Sequence, residues 1–121
     1  MINNNLLQGV AALLAGSSYT IPSHLAFGST TGTLTAADII TSGEFDRNAL
    51  DSKTTTGATA RLSGGRISTE ANNEQVAMVG LHNSATLSSS NNLQAAFLVS
   101  SLIHTTSFDI DVEFWFTFQS G

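Results

Sequence analysis

Near the N-terminus, apolar residues recur at helical spacing: Leu6, Leu7, Val10, Leu13 and Leu14. The asparagines at positions 3–5 stand just before them, and their side chains suit the capping of the first free N–H groups of a helix. Gly16 follows the last leucine, where a glycine commonly ends a helix. This pattern predicts one short amphipathic helix from about Asn5 to Ala15.

Beyond Gly16, apolar and polar residues tend to alternate, as they do in half-buried β-strands. Extended segments are predicted at Tyr19–Phe27, Val76–Leu81 and Leu93–Leu102, and a short strand fits Glu44–Leu50. Pro22 places the first of these segments at a sheet edge or at the start of a strand.

Glycine and hydroxyl residues predict where the extended segments turn. The pair Gly64 and Gly65 predicts a tight hairpin turn between Ala58–Leu62 and Arg66–Thr69. Polar runs predict loops at residues 28–35 (GSTTGTLT), 51–57 (DSKTTTG) and 85–92 (ATLSSSNN).

The C-terminal segment has the clearest alternation in the chain. Its apolar face consists of Phe108, Ile110, Val112, Phe114, Phe116 and Phe118. Its other face carries Asp109, Asp111, Glu113 and Trp115. We therefore predict a half-buried strand of at least about eleven residues.

Several strands with turn signals between them, and one helix in front, indicate a mainly β fold. We predict an antiparallel β-sandwich or jelly-roll-like barrel with one short N-terminal helix. A length of 121 residues suits one domain. We expect a single domain over residues 1–121, in which residues 1–16 form the helix or an arm and residues 17–121 form the β-domain.

Charged residues are few and unevenly placed. They make up 11% of the chain, against about 25% in an average globular domain. Neither residues 1–37 nor residues 75–108 contain a charged side chain. Because the centres of protein interfaces are depleted of charge, these runs favour a surface that faces other protein. The alternative is that they are core strands and Ser/Thr loops.

Composition also narrows the classes of partner. A net charge of −5 argues against binding to a phosphate backbone, which requires clustered lysine and arginine. The absence of cysteine excludes thiolate nucleophiles and cysteine metal sites. The apolar stretches are too short for a membrane-spanning helix. We expect no nucleic-acid partner and no membrane partner.

The sequence offers little support for catalysis. It contains no GxSxG motif, and Ser23 and His24 would point to opposite faces of a strand. The three histidines, His24, His82 and His104, lie far apart in the chain and suit hydrogen-bonded structural roles. We therefore expect a protein that is not an enzyme and has no cofactor.

The acidic residues Asp109, Asp111 and Glu113 are the candidates for a metal site. Neighbours on one face of a strand are about 6.6 Å apart, too far for all three carboxylates to hold one Ca²⁺ ion without another segment. The alternative is a solvated acidic stripe, or one that meets Arg61, Arg66 or an arginine of a partner subunit, and we expect no metal. Trp115, on the same face, suits either a protein interface or stacking on a sugar.

Several short motifs carry a resemblance to a known class. They are HLAFG at 24–28, GSTTGTLTAAD at 28–38, the pair Glu44 and Arg47, and VAMVGLHNS at 76–84. The chain resembles the small β-rich virion proteins of tailed bacteriophages, of the capsid decoration or cement type, and more distantly the N-terminal collar domain of phage tail fibres.

The resemblance implies a non-enzymatic virion protein that is assembled in the host cytoplasm. Its partners would be further copies of itself and the major capsid protein or a tail protein. The interface candidates are Leu6, Leu7, Val10, Leu13, Leu14 and Trp115. A tail or fibre-attachment component is one alternative, and a carbohydrate-binding β-sandwich for host adsorption is another.

Overall fold

The computed structural model describes residues 1–30, 32–38, 41–87 and 93–119. These contain one α-helix, seven β-strands and a short 3₁₀ turn at Ser68–Glu70. The helix and strands are α1 (Asn4–Leu14), β1 (His24–Gly28), β2 (Glu44–Ala49), β3 (Ser52–Thr56), β4 (Thr59–Arg66), β5 (Glu74–His82), β6 (Leu93–His104) and β7 (Ile110–Thr117).

The N-terminal helix is confirmed, with bounds within one residue of the prediction. The Asn3 side chain caps it by accepting a hydrogen bond from the Asn5 N–H at 2.8 Å. Gly16 follows with φ of +77°, a left-handed conformation that favours glycine. Local capping chemistry therefore determines both ends of α1.

The strands form two antiparallel sheets, which we call sheet A (β2-β1-β5-β6) and sheet B (β3-β4-β7). The sheets curl towards each other as a half-barrel, and this confirms the predicted mainly β fold with one N-terminal helix. The core lies between them. It is built from Leu25, Phe27, Val79 and Leu81 of sheet A and from Val112 and Phe114 of sheet B.

The predicted turn at Gly64 and Gly65 is wrong. Both glycines lie inside β4, and the hairpin turn instead joins β3 to β4 through Gly57, whose φ is +57°. A side chain at residue 65 would collide with the backbone carbonyl oxygen of Ile110 on β7. The glycine allows close approach of two strands rather than a change of direction.

The predicted loop at 51–57 is also wrong, because β3 occupies most of it. All five residues of β3 are exposed, so the strand has no apolar period for a sequence pattern to detect. It forms through pairing with β4, in which Lys53 stands opposite Leu62 and Thr55 opposite Ala60. β-Branched threonines suit such an edge strand.

The alternation of the last segment is confirmed within β7, although the strand is shorter than predicted, at eight residues. Val112 and Phe114 are buried, while Asp111 and Glu113 are exposed. Phe108 precedes the strand, and Phe118 follows it with 59% of its surface exposed. Phe118 is therefore not a core residue of the isolated chain.

Thr41, which precedes β2, packs on the outer face of sheet A against Gly80 and His82. Thr41 is buried there, and its hydroxyl lies 2.7 Å from Nε2 of the fully buried His82. Gly80 of β5 leaves room for that hydroxyl, which occupies the place of a side chain at this position.

Two further loops were predicted, at 28–35 and 85–92. Residues 31 and 88–92 lie outside the described residues. Among the described residues of these two segments, Gly28 belongs to β1 and the others are in neither a helix nor a strand.

Candidate functional site

An apolar groove of about 710 Å³ lies between α1 and sheet B; most of the sheet residues that line it belong to the inner face, and Thr54 and Trp115 of the opposite face line it as well. The pairing of β3, β4 and β7 places the residues of the groove floor side by side. Ala60 of β4 stands between Thr55 of β3 and Phe116 of β7, and Leu62 stands beside Lys53. Leu62 and Phe116 are partly buried and also pack against the core.

The wall of the groove is the apolar face of α1, with Leu6, Leu7, Val10 and Leu13. Leu7 remains 57% exposed and Leu13 remains 50% exposed, although both line the groove. The helix therefore does not pack fully against the β-domain, and its apolar stripe faces an open space.

The N-terminal end of α1 is anchored to β6 by polar contacts. The Asn3 N–H donates to the Gln94 carbonyl at 2.9 Å, and the Asn5 side-chain amide donates to the Leu93 carbonyl at 3.3 Å. The Tyr19 hydroxyl, which lies past the C-terminal end of the helix, donates to the Gln94 side chain. These bonds attach the helix, and the segment that follows it, to β6 of sheet A.

Large exposed apolar side chains continue around the rim of the groove. Ile21 is 48% exposed, Phe118 is 59% exposed and Trp115 is 62% exposed. Of the interface candidates from the sequence, Leu6, Leu7, Val10, Leu13 and Trp115 line the groove. Leu14 does not line it and is 86% exposed. The structure thus brings five of the six candidates together.

Within the described residues, Lys53 is the one charged side chain that lines the groove. Lys53 is exposed, and its ammonium group forms no ion pair with a described residue. The three arginines all form such pairs, Arg47 with Glu44, Arg61 with Glu113, and Arg66 with Asp46 and Glu74. The groove mouth therefore carries a positive charge without a partner among these residues.

The positive charge of Lys53 contributes to the lowered pKa of His24 on β1. The pKa of His24 is lowered from its ordinary 6.5, first by partial burial and then by the positive charges of Arg47 and Lys53. The Ser23 hydroxyl lies 2.7 Å from His24 Nδ1, so the expectation that these two side chains point to opposite faces of a strand is wrong; β1 begins only at His24. His24 is therefore held towards its neutral form.

Trp115 is held in a small polar cluster on the outer face of sheet B. Its indole N–H donates to Glu113 Oε2 at 2.8 Å, and the Arg61 guanidinium lies 5.2 Å from the ring centre. Arg61 also pairs with Glu113. The hydrogen bond from Arg61, and after it the one from Trp115, lowers the pKa of Glu113.

The three acidic candidates do not converge on one point. Glu113 pairs with Arg61, and Asp109 accepts a hydrogen bond from the Ser68 N–H at 2.6 Å. In residues 1–30, 32–38, 41–87 and 93–119, no group of three His, Asp or Glu side chains has an arrangement that could hold a metal ion. Glu113 therefore meets Arg61, one of the arginines named for this stripe, whereas Asp109 meets the backbone.

Two buried ionic groups were not predicted from the sequence. Arg66 is 4% exposed and joins β4 to β2, β5 and β6 through Asp46, Glu74 and His104. Its guanidinium also lies 5.1 Å from the ring centre of Phe45. This cluster binds sheet B to sheet A at the end of the core away from the groove.

Glu44 and Arg47 form the second group, and both side chains are almost fully buried. Arg47 donates to both carboxylate oxygens at 2.7 Å and to the Ser84 carbonyl at 2.9 Å. A register shift opposite Phe27 and Gly28 lets residues three apart share one face of β2. The Glu-x-x-Arg spacing was visible in the sequence, but the shift that unites the pair was not.

Comparison with known protein families, with curated proteins and with solved structures gives no match for this chain. Within the described residues, no helix has the length and apolar character needed to cross a membrane.

Proposed function

We propose that this chain is a non-enzymatic structural protein of a tailed-phage virion, and specifically a capsid decoration protein that cements the shell. The observation that carries the proposal is the apolar surface around the groove, formed by α1, Ile21 and the end of β7. Surfaces of this kind mark protein contacts, because monomeric proteins rarely leave large contiguous apolar patches exposed.

The distribution of charge supports the same surface. Residues 1–37 supply α1 and Ile21 without a charged side chain, so little charge must be desolvated when they meet another protein. In a symmetric shell, each copy contributes the same contact, and the stabilisation of the shell is the sum over many copies.

Co-sedimentation with phage particles that lack the protein tests this proposal. Binding should be nearly unchanged between about 0.1 M and about 1 M NaCl, since screening acts mainly on exposed charges. EDTA should have no effect. Isolated heads and isolated tails should be sedimented separately. Binding to tails alone would move the proposal to the tail or fibre-attachment alternative.

A pair of leucine variants shows whether the groove rim makes the contact. Leu13→Ser changes a rim residue that is 50% exposed. Leu98→Ser changes a residue of β6 that is 45% exposed and does not line the groove. We expect Leu13→Ser to weaken particle binding by about tenfold or more and Leu98→Ser to leave it unchanged. Equal binding by both variants would remove the rim from the interface.

A carbohydrate-binding function is the second candidate, and the Trp115 cluster is the observation that favours it. An exposed indole held by Glu113 and Arg61 offers an aromatic face with polar groups beside it. Trp115 is the only tryptophan, so its fluorescence reports directly on this cluster. Titration with methyl glycosides should leave the emission unchanged if assembly is the function. A saturable change that Trp115→Phe and Glu113→Gln remove in a binding assay would favour sugar binding instead.

A further inference from the structure

The groove between α1 and sheet B is large enough to hold a small molecule. The groove is open to solvent and has a volume of about 710 Å³. Concave sites of such size, mostly apolar with a few polar groups, are typical of small-molecule binding.

The groove is apolar along its floor and wall and carries a positive charge at one edge. Its floor and wall carry Leu62, Phe116, Leu6 and Val10, whereas Lys53 stands at the β3 edge. A ligand that complements this arrangement has a long apolar body and one negative charge at its end. Because the three arginines pair with carboxylates, and the N-terminal ammonium donates to the Ala96 carbonyl and does not line the groove, Lys53 is the group able to select that charge.

We propose that the groove binds a long-chain carboxylate, with the hydrocarbon tail between α1 and sheet B and the carboxylate at the Lys53 ammonium. This ligand site is separate from the proposed role in assembly. The tail would occupy the interior of the groove, while exposed rim residues such as Ile21 and Phe118 would still face a neighbouring protein.

Isothermal titration calorimetry with saturated fatty acids from octanoate to laurate, below their micellar concentrations, tests the site on the full-length protein. Each added methylene that enters the groove should strengthen binding by about fourfold, the equivalent of about 0.8 kcal/mol. Native mass spectrometry should show one ligand per chain.

The role of Lys53 is tested by changing the charge on both partners. Lys53→Met should weaken decanoate binding by about tenfold, and Lys53→Arg should retain it. Decanol, which lacks the carboxylate, should bind the wild-type protein and Lys53→Met equally. Equal decanoate affinity for all three proteins would overturn the assignment of the head group.

Thr55→Phe provides a steric test at an exposed residue, so the fold should survive the substitution. Thr55 faces the groove opposite Ala60. The phenyl ring should fill part of the groove and abolish binding of the longer acids, while circular dichroism shows unchanged β structure. Thr56→Phe, at another exposed residue of the same strand that does not line the groove, is the matched control and should bind decanoate.

Two further outcomes would overturn the proposal. One is the absence of fatty-acid binding in calorimetry. The other is a concentration-dependent dimer in sedimentation that excludes decanoate and is lost in Thr55→Phe, because a second copy would then be the occupant. Neither outcome depends on phage particles, so the proposed decoration function is tested separately by co-sedimentation.

Discussion

Arg66 Nη1 lies 3.0 Å from His104 Nδ1 in the interior of the protein. Because a guanidinium nitrogen can only donate, the imidazole nitrogen must accept this hydrogen bond. His104 Nε2 then carries the proton and donates to the Phe108 carbonyl at 2.9 Å. Arg66 therefore sets the tautomer of His104, and His104 in turn fixes the chain just before β7.

Replacement of Arg66 should be strongly destabilising. Arg66→Met leaves Asp46 and Glu74 without the cation that compensates their partial burial, and we expect a loss of about 3–5 kcal/mol in the free energy of unfolding. Arg61→Met is the matched control on the same strand, since its pair with Glu113 is exposed. Urea unfolding should show a large shift of the midpoint for Arg66→Met alone, and similar midpoints for the two variants would contradict the structural role.

Phe114 and Phe118, two phenylalanines of the C-terminal segment, should differ in their contribution to the free energy of unfolding. Phe114 is 8% exposed and packs in the core, 5.2 Å from Phe97 between ring centres. Phe114→Ala should cost about 3–5 kcal/mol in thermal or urea unfolding. Phe118→Ala should change stability by about 0.5 kcal/mol or less, because that side chain is exposed. A large loss of monomer stability for Phe118→Ala would mean that it packs against the β-domain.

The protonation of His24 should respond to Lys53. Its pKa in the folded protein lies below 6.5, so the folded state binds this proton less readily than the unfolded state does. The stability linked to His24 is therefore present above pH 6.5 and decreases as the pH falls through the folded pKa. NMR titration should show that Lys53→Met raises the pKa of His24 towards its ordinary value, while Lys53→Arg leaves it low.

The rise in Lys53→Met should be partial, because burial is the largest cause of the shift and is unchanged by the substitution. An unchanged or lower pKa in Lys53→Met would show that the two side chains are too far apart to interact.

The fluorescence of Trp115 should titrate with Glu113. The pKa of Glu113 is lowered from 4.5 by the hydrogen bonds from Arg61 and Trp115, so these contacts persist until the pH falls below that value. The associated stability is present above pH 4.5 and is lost as the pH falls through the folded pKa. Protonation should weaken the indole hydrogen bond and shift the emission.

Two variants identify the group behind that shift. Glu113→Gln should remove the acid-induced change in emission, and Asp111→Asn should retain it because no contact joins Asp111 to the indole. A change that survives in Glu113→Gln would reflect acid unfolding rather than this hydrogen bond.

The sequence predicted the elements whose causes are local. Asn3 and Gly16 act on the residues beside them, so α1 could be placed within one residue at each end. The alternation around Val112 and Phe114 reflects one buried face, so β7 was also recognisable. In these two segments, buried and exposed residues alternate with the period of the helix or strand to which they belong.

Other features depend on partners far away in the chain. The glycine pair at 64 and 65 has two physical meanings, a turn or a close approach, and only the position of the Ile110 carbonyl decides between them. Arg66 finds Asp46 at a separation of twenty residues, a spacing that no local pattern indicates. Likewise, Lys53 and α1 border the same groove only because β3 pairs with β4.

The close approaches at Gly65 and Gly80 affect how substitution data on this protein should be interpreted. A complete mutational scan scored by particle binding would mark both positions as intolerant, as strongly as a contact residue of the interface. The backbone of Ile110 and the hydroxyl of Thr41 exclude any side chain at these positions, whatever the protein binds. Intolerance there measures the folding of sheets B and A, so a parallel scan of abundance is needed before any position is assigned to assembly.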